Sequence, residues 1–232
     1  MAKITWDGTG ARFYQTGIDQ GVLYPLGTSG YTKGVAWNGL TSVQESPSGG
    51  EATSLWADNI KYLNLMSAEE FGFTIEAYTY PEEFEKCDGS APVPATGSGA
   101  TGNIGVYMGQ QSRQKFGFCY RTKVGNDQDN NLGYKLHFIY GCSAQPSSKQ
   151  YQTVNDSPEA ITFSWECKTE AVGTDHDGGY TGVTTVVVDS TKCDPDKLKA
   201  LEAIIYGTDA TDGVEATEPR FPMPDEIIST LS

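Results

Sequence analysis

Apolar and polar positions alternate in short runs along most of this chain, and the cleanest runs read as strands with one buried face. Phe71, Phe73, Ile75 and Ala77 share one parity while Gly72, Thr74, Glu76 and Tyr78 share the other. Ile161, Phe163, Trp165 and Cys167 repeat the pattern against Thr162, Ser164, Glu166 and Lys168. Similar runs predict strands at 22–26, 35–43, 60–66, 104–108, 115–123, 134–141 and 183–189. Between them, 27–34 is turn-rich, 44–53 has no apolar period and contains Pro47 with paired glycines, and 88–102 is built of small residues. These three read as loops, and LWADN at 55–59 reads as a turn entering the strand at 60.

Helical signals occur twice. Pro81 suits a first helical position, and Glu82, Glu83 and Glu85 sit near the positive helix start, predicting a short helix over 81–87. Later, Asp194 as N-cap, Pro195 at the first position, and Leu198, Leu201, Ile204 and Ile205 on one face before Gly207 predict a full helix. Many short strands with so little helix predict a mainly β fold, an antiparallel β-sandwich or barrel with one or two short flanking α-helices, over residues 1–207. No internal repeat is present.

After Gly207 the composition shifts. Residues 208–232 hold six acids, one arginine and three prolines, predicting an extended acidic arm. A solvated tail and a docked arm are both compatible with that composition. Phe221, Met223, Ile227, Ile228 and Leu231 favour docking, on the chain's own domain or on a neighbouring subunit, because apolar side chains on an extended arm seek a surface.

A chain of 232 residues can bury one substantial core, and 27 glycines with 13 tyrosines suit turns and strands. The formal charge of −14, from 16 basic and 30 acidic side chains, excludes a general nucleic-acid binder, which needs cations against phosphate. An acidic wall that lets DNA pass without holding it is compatible with this charge, and so is plain solubility. Five cysteines without a CxxC pair predict reduced thiols, and the absence of a long apolar run or charged leader predicts a soluble cytosolic product with no membrane partner.

Each candidate for chemistry lacks part of its motif. Gly97, Gly99 and Gly102 spell GxGxxG without the strand before and the helix after that a dinucleotide site needs. Asp127, Asp129 and Asn131 start like a calcium loop, but Leu132 and Phe138 stand where the turn glycine and bidentate glutamate belong. Asp175, His176 and Asp177 read as a solvated turn. The only other histidine, His137, alternates with Leu136 and Phe138, as a surface or interface residue does. Adjacent acids such as Glu69–Glu70 and Glu82–Glu83 cannot face each other across a cleft, whereas Glu76 and Glu166 could do so only in the fold. The expectation is a chain that is not an enzyme, with no catalytic, cofactor or metal residues. One basic concentration remains: Arg113, Lys115, Arg121 and Lys123, the last three on a strand face opposite Phe116, Phe118 and Tyr120. It reads either as a solvated face or as an intersubunit contact to an acidic neighbour.

The segments LWADN at 55–59, EAYTYPEEF at 76–84, FCYRTKVGNDQDNNLGYKLHFIYG at 118–141, and DPDKLKALEAIIYGTDAT with the later PMPDEII occur in an order that resembles the major tail tube proteins of long, non-contractile-tailed (siphovirus-type) bacteriophages. The resemblance implies a structural virion protein, a subunit of hexameric rings stacked around a lumen that conducts DNA. It implies as partners further copies of itself, a tape-measure protein in the lumen, and the tail terminator and distal tail proteins. It places the chain in the virion tail, assembled in the host bacterial cytoplasm. By analogy, 44–58 with Trp56 and Asp58, and 88–102, would reach neighbouring subunits, and the C-terminal arm would make vertical contacts. Two other readings stay open. One is a secreted carbohydrate-binding sandwich using Trp6, Trp37, Trp56 and Trp165 as stacking platforms; the other is a capsid or neck accessory protein.

Overall fold

The computed structural model describes residues 4–96, 101–154, 156, 159–175, 182–211, 213 and 215–232. The first strands are β1 (Tyr14–Gly27), β2 (Gly30–Tyr31), β3 (Val35–Trp37), β4 (Leu40–Glu45), β5 (Ser48–Gly49), β6 (Ala52–Ala57), β7 (Ile60–Met66), β8 (Glu69–Glu70) and β9 (Gly72–Ala77). A 3₁₀ turn at Glu82–Phe84 runs into α1 (Glu85–Asp88). Then follow β10 (Ala91–Pro94), β11 (Asn103–Met108), β12 (Phe116–Gly125), β13 (Gly133–Ala144), β14 (Phe163–Lys168), β15 (Thr185–Asp189), α2 (Pro195–Tyr206) and α3 (Pro224–Leu231).

Two antiparallel sheets share the long strand β13. In the first sheet, β3, β1, β12, β13 and β15 lie side by side; in the second, the end of β13 pairs β14, which pairs β9, which pairs β4. The switch falls at Gly141, whose φ of +58 suits glycine and where a Cβ would collide with the Glu170 carbonyl. The sheets close over a core of Leu23, Trp37, Phe73, Ile75, Phe84, Phe118 and Trp165. Trp37 and Phe84 have ring centroids 4.5 Å apart, and Phe84 lies 5.1 Å from Trp165. The alternation in β9 and β14 is therefore a true core signal: Phe73, Ile75, Ala77, Trp165 and Cys167 are fully buried.

A second core lies on the outer face of the first sheet, beneath α2 and α3. Asp194 caps α2 by accepting from the amides of Asp196 and Lys197, and Leu198, Leu201 and Ile205 are buried against Tyr24, Leu136, Phe138 and Tyr140. The molecule is thus a β-sandwich flanked by helices, with the helices forming a third layer.

The structure departs from the sequence expectations in four places. β1 starts at Tyr14, eight residues earlier than its apolar run, through bulges accompanied by positive φ at Gly17 and Gln20. The expected loop at 44–53 contains β5 and the start of β6, because partners across the ribbon extend the ladder through it. The loop at 88–102 opens with β10, whose prolines are tolerated in a two-stranded hairpin that leaves each outer edge free. Finally, the C-terminal segment ends in a helix: Pro224 occupies a first-turn position, Asp225 and Glu226 follow it, and Ile227 is buried against the body.

Candidate assembly surfaces

β4 and β9 are the inner end of a much longer ribbon. Pairing runs outward from Glu45↔Phe73 through Ser48↔Glu70 and Ala52↔Met66 to Leu55↔Leu63, with each step on one strand matched by one on the other. A single irregularity between Leu55 and Trp56 precedes the tip, where Asp58 and Asn59 both take positive φ, 50° and 64°. Two consecutive left-handed residues make a type I′ turn, whose twist matches that of the strands it joins. At about 3.3 Å per residue the ribbon extends on the order of 40 Å beyond Glu45. The expected radius of gyration for a domain of 232 residues is only about 17 Å. The outer half therefore projects as an arm.

Among the described residues, nothing of the chain lies over the arm. Every residue of β7 is exposed, as is every residue of β6 but Ser54. Its apolar side chains are large: Trp56 is 68% exposed, Tyr62 67%, Met66 75%, and Leu55, Ile60, Leu63 and Leu65 are exposed as well. Because the register is unbroken up to Leu55, the face that carries Val43, Phe73 and Ile75 into the core continues outward as Leu55, Leu63 and Leu65. A two-stranded ribbon is marginally stable in water by itself, so this one needs a cover.

In a second, shorter hairpin, β10–β11, the strand β11 is uncovered in the same way, while Ala91, Pro92 and Val93 of β10 are half-buried. Ile104, Val106, Tyr107 and Met108 are all exposed. From Gly89 to Ser112 there is no charged residue, and the arm from Ala52 to Met66 holds only Asp58 and Lys61. In a chain of −14, both of these hairpins are also nearly charge-free.

Trp56 and Asp58 thus sit at the arm tip, Trp56 exposed. The other residues expected at subunit contacts are placed differently. Phe221 and Ile227 are buried in the chain's own second core, and Leu231 packs against it. Phe221 lies 4.8 Å, centroid to centroid, from each of Tyr24, Tyr31 and Tyr140. Ile228 is half-buried and Met223 exposed at the edge of α3.

Of the four basic residues, three have partners within the chain. The Arg113 guanidinium lies 3.5 Å from the buried Asp88 carboxylate and donates to the Ala144 carbonyl at 3.3 Å. Lys149 meets the same carboxylate. Lys115 pairs with Glu170. Arg121 donates in a fork to Asp19 at 2.7 and 2.9 Å and lies over the Tyr134 ring. That fork holds the Asp19 carboxyl below its ordinary pKa. Lys123 alone is exposed. The strand face opposite Phe118 and Tyr120 is not a solvated face, because Gly117 and Cys119 on it lie under the second core.

The chemistry candidates have structural uses. Asp127 accepts from the amides of Gly10 and Arg12, and Asn126 from those of Gln128 and Asp129, so the calcium-like run ties the N-terminal segment to a turn. Among the described residues, no three His, Cys, Asp or Glu side chains converge as a metal cage. Gly97, Gly99, His176 and Asp177 lie outside the described residues. Glu76 accepts from Ser42, while Glu166 is exposed one position across, opposite Thr74.

His137 stacks on Tyr120 with centroids 4.6 Å apart, and its Nε2 lies 3.0 Å from the Thr122 hydroxyl. Its Nδ1 is buried 3.7 Å from Glu45 without a hydrogen bond, and burial holds the imidazole pKa below its usual value. Cys87, Cys119, Cys142 and Cys167 are buried free thiols, and Cys193 is half-buried. Trp37 and Trp165 are core residues, 2% and 0% exposed, whereas Trp6 and Trp56 are open to solvent.

Sequence reasoning missed Leu55, Tyr62, Leu63, Leu65 and Met66 as surface residues, since their alternation reads as an ordinary half-buried strand. The available signals were the two-residue turn between two short apolar strands and the charge-free stretch around β11. No protein-family model matches the chain, and no curated protein is significantly similar to it. Among the described residues, no helix is long and apolar enough to cross a membrane.

Proposed function

We propose that this chain is a non-catalytic structural subunit that assembles with copies of itself into stacked hexameric rings, the tail tube of a long, non-contractile-tailed bacteriophage. One observation carries the self-association: a ribbon that keeps the register of β4 and β9 on the order of 40 Å outward into solvent with its apolar side chains uncovered. The body has two closed cores of its own, so the arm's surface is available for contact with another molecule. Its seven large apolar side chains, 37% to 75% exposed and divided between the two faces of the ribbon, leave both faces open to contact. The hexameric, DNA-conducting form comes from the sequence resemblance, and the net charge of −14 suits a lumen that repels phosphate. In that setting the tape-measure, terminator and distal tail proteins are the partners, DNA passes without specific binding, and the chain resides in the virion tail.

The test is negative-stain microscopy and sedimentation velocity of purified full-length protein over a wide concentration range. Rings with a central hole that stack into tubes are the expected result. A monomer at every concentration rejects the reading. A monomer that also binds polysaccharide would turn attention to Trp6 and Trp56 as stacking platforms instead.

A further inference from the structure

The arm and the short hairpin are two unlike surfaces with the same deficiency. Each carries exposed apolar side chains and is nearly free of charge, on a molecule with a net charge of −14. Copies of one acidic chain repel each other wherever their charged faces meet, so close approach is favoured where charge is absent. Among the described residues, two hairpins offer such places, at Ala52–Met66 and Asn103–Met108.

We infer that the leucine face of the arm, Leu55, Leu63 and Leu65, docks on the β10–β11 hairpin of a second copy, against Ile104, Val106 and Met108. This rests on the self-assembly reading and adds to it which two surfaces meet. An arm-to-arm contact would be self-complementary, would close as a dimer, and would leave the short hairpin bare. Arm-to-hairpin contact covers both surfaces with one interaction. It also leaves a free arm and a free hairpin at the two ends of every growing oligomer, as ring formation or stacking requires. The two surfaces differ in reach: the arm projects on its long ribbon, while β10 follows directly on α1 and the Phe84 turn, which is buried in the first core. The arm is therefore the donor and the hairpin the receiving site.

The experiment places a photo-reactive benzophenone amino acid at Leu63 in full-length protein, mixes ¹⁵N-labelled with unlabelled subunits, irradiates at a concentration where the parent protein assembles, and identifies linked peptides by mass spectrometry. The expected product is a mixed-isotope link from the arm to the peptide containing residues 103–108. The companion variant Val106→Asp sets a charge in the charge-free hairpin and is expected to reduce that link at least about fivefold and to raise the assembly concentration about tenfold. Links from arm to arm, or to any other surface, overturn the pairing, as do assembled rings that give no intermolecular link. In those three outcomes the self-assembly reading survives. Protein that remains monomeric throughout defeats both.

Discussion

Leu63 stands directly opposite Leu55 at the same register offset that sets Ile75 opposite Val43, through a ladder interrupted on either side of β5–β8. The inner pair belongs to the sandwich and its core, while the outer pair is exposed to solvent. One hydrophobic face thus begins inside the domain and ends outside it. Its outer part contributes little to the stability of the isolated chain and is available for association.

Replacing residues 49–69 with an Asn-Gly turn should leave the sandwich intact, because β4 and β9 keep their own pairing and the cores are untouched. The expected outcome is a thermal midpoint within a few degrees of the parent's, by the usual scaling of small stability changes, together with loss of assembly. Circular dichroism and sedimentation velocity measure the two effects. Tubes built from the shortened chain would exclude the arm from assembly.

Phe221 and Gly117 form a matched pair: a Cβ at position 117 would come within 2.6 Å of the Phe221 ring. Gly117→Val should destabilise the monomer by about 1–3 kcal/mol through overpacking, and Phe221→Ala by about 3–5 kcal/mol through the cavity it leaves. The double variant should be less destabilised than the sum, since the two changes share one site. Urea unfolding of the three variants gives the coupling. Additive losses would mean that the ring does not sit over Gly117.

Asp19 and Arg121 tie the bulged start of β1 to β12. Because the fork holds the folded Asp19 pKa below its ordinary 3.8, its stabilisation is present above about pH 4 and is lost as pH falls through the lower folded value. Asp19→Asn should lower stability by about 1–2 kcal/mol at pH 7, with the difference from the parent shrinking on acidification. Urea midpoints measured from pH 7 to pH 2.5 test the sign, and a difference that grew toward acid would contradict it.

His137 works in a higher window. Burial favours its neutral form, opposed by Glu45 and assisted by Lys135. With the folded pKa below the unfolded 6.5, stability should be full above pH 6.5 and decline as pH falls below it. His137→Gln should flatten the slope of the unfolding free energy between pH 7 and pH 5, read from urea titrations. An unchanged slope would assign that pH dependence to other groups.

What the sequence by itself determined were the features with a local cause. Period-two runs marked β9, β12, β13 and β14, and the cap at Asp194 with Pro195 and Gly207 marked α2, because backbone preference and side-chain parity act over a few residues. Mainly β class followed from these. Whether a given apolar face is covered was decided only in three dimensions. The run at 60–66 and the run at 72–77 alternate alike, yet one is bare and the other lines the core, because cover comes from strands and helices far away in sequence. The same holds for charge and for the chain end. Arg113, Lys115 and Arg121 read as solvated or as contacts for an acidic neighbour until Asp88, Glu170 and Asp19 were brought beside them. Phe221 and Ile227 suited their own domain and a neighbour equally until the first sheet presented Gly117 and a ring of tyrosines to receive the end of its own chain. Long-range packing is a sum over distant segments, so tertiary structure alone decided which faces the chain keeps for itself and which remain exposed.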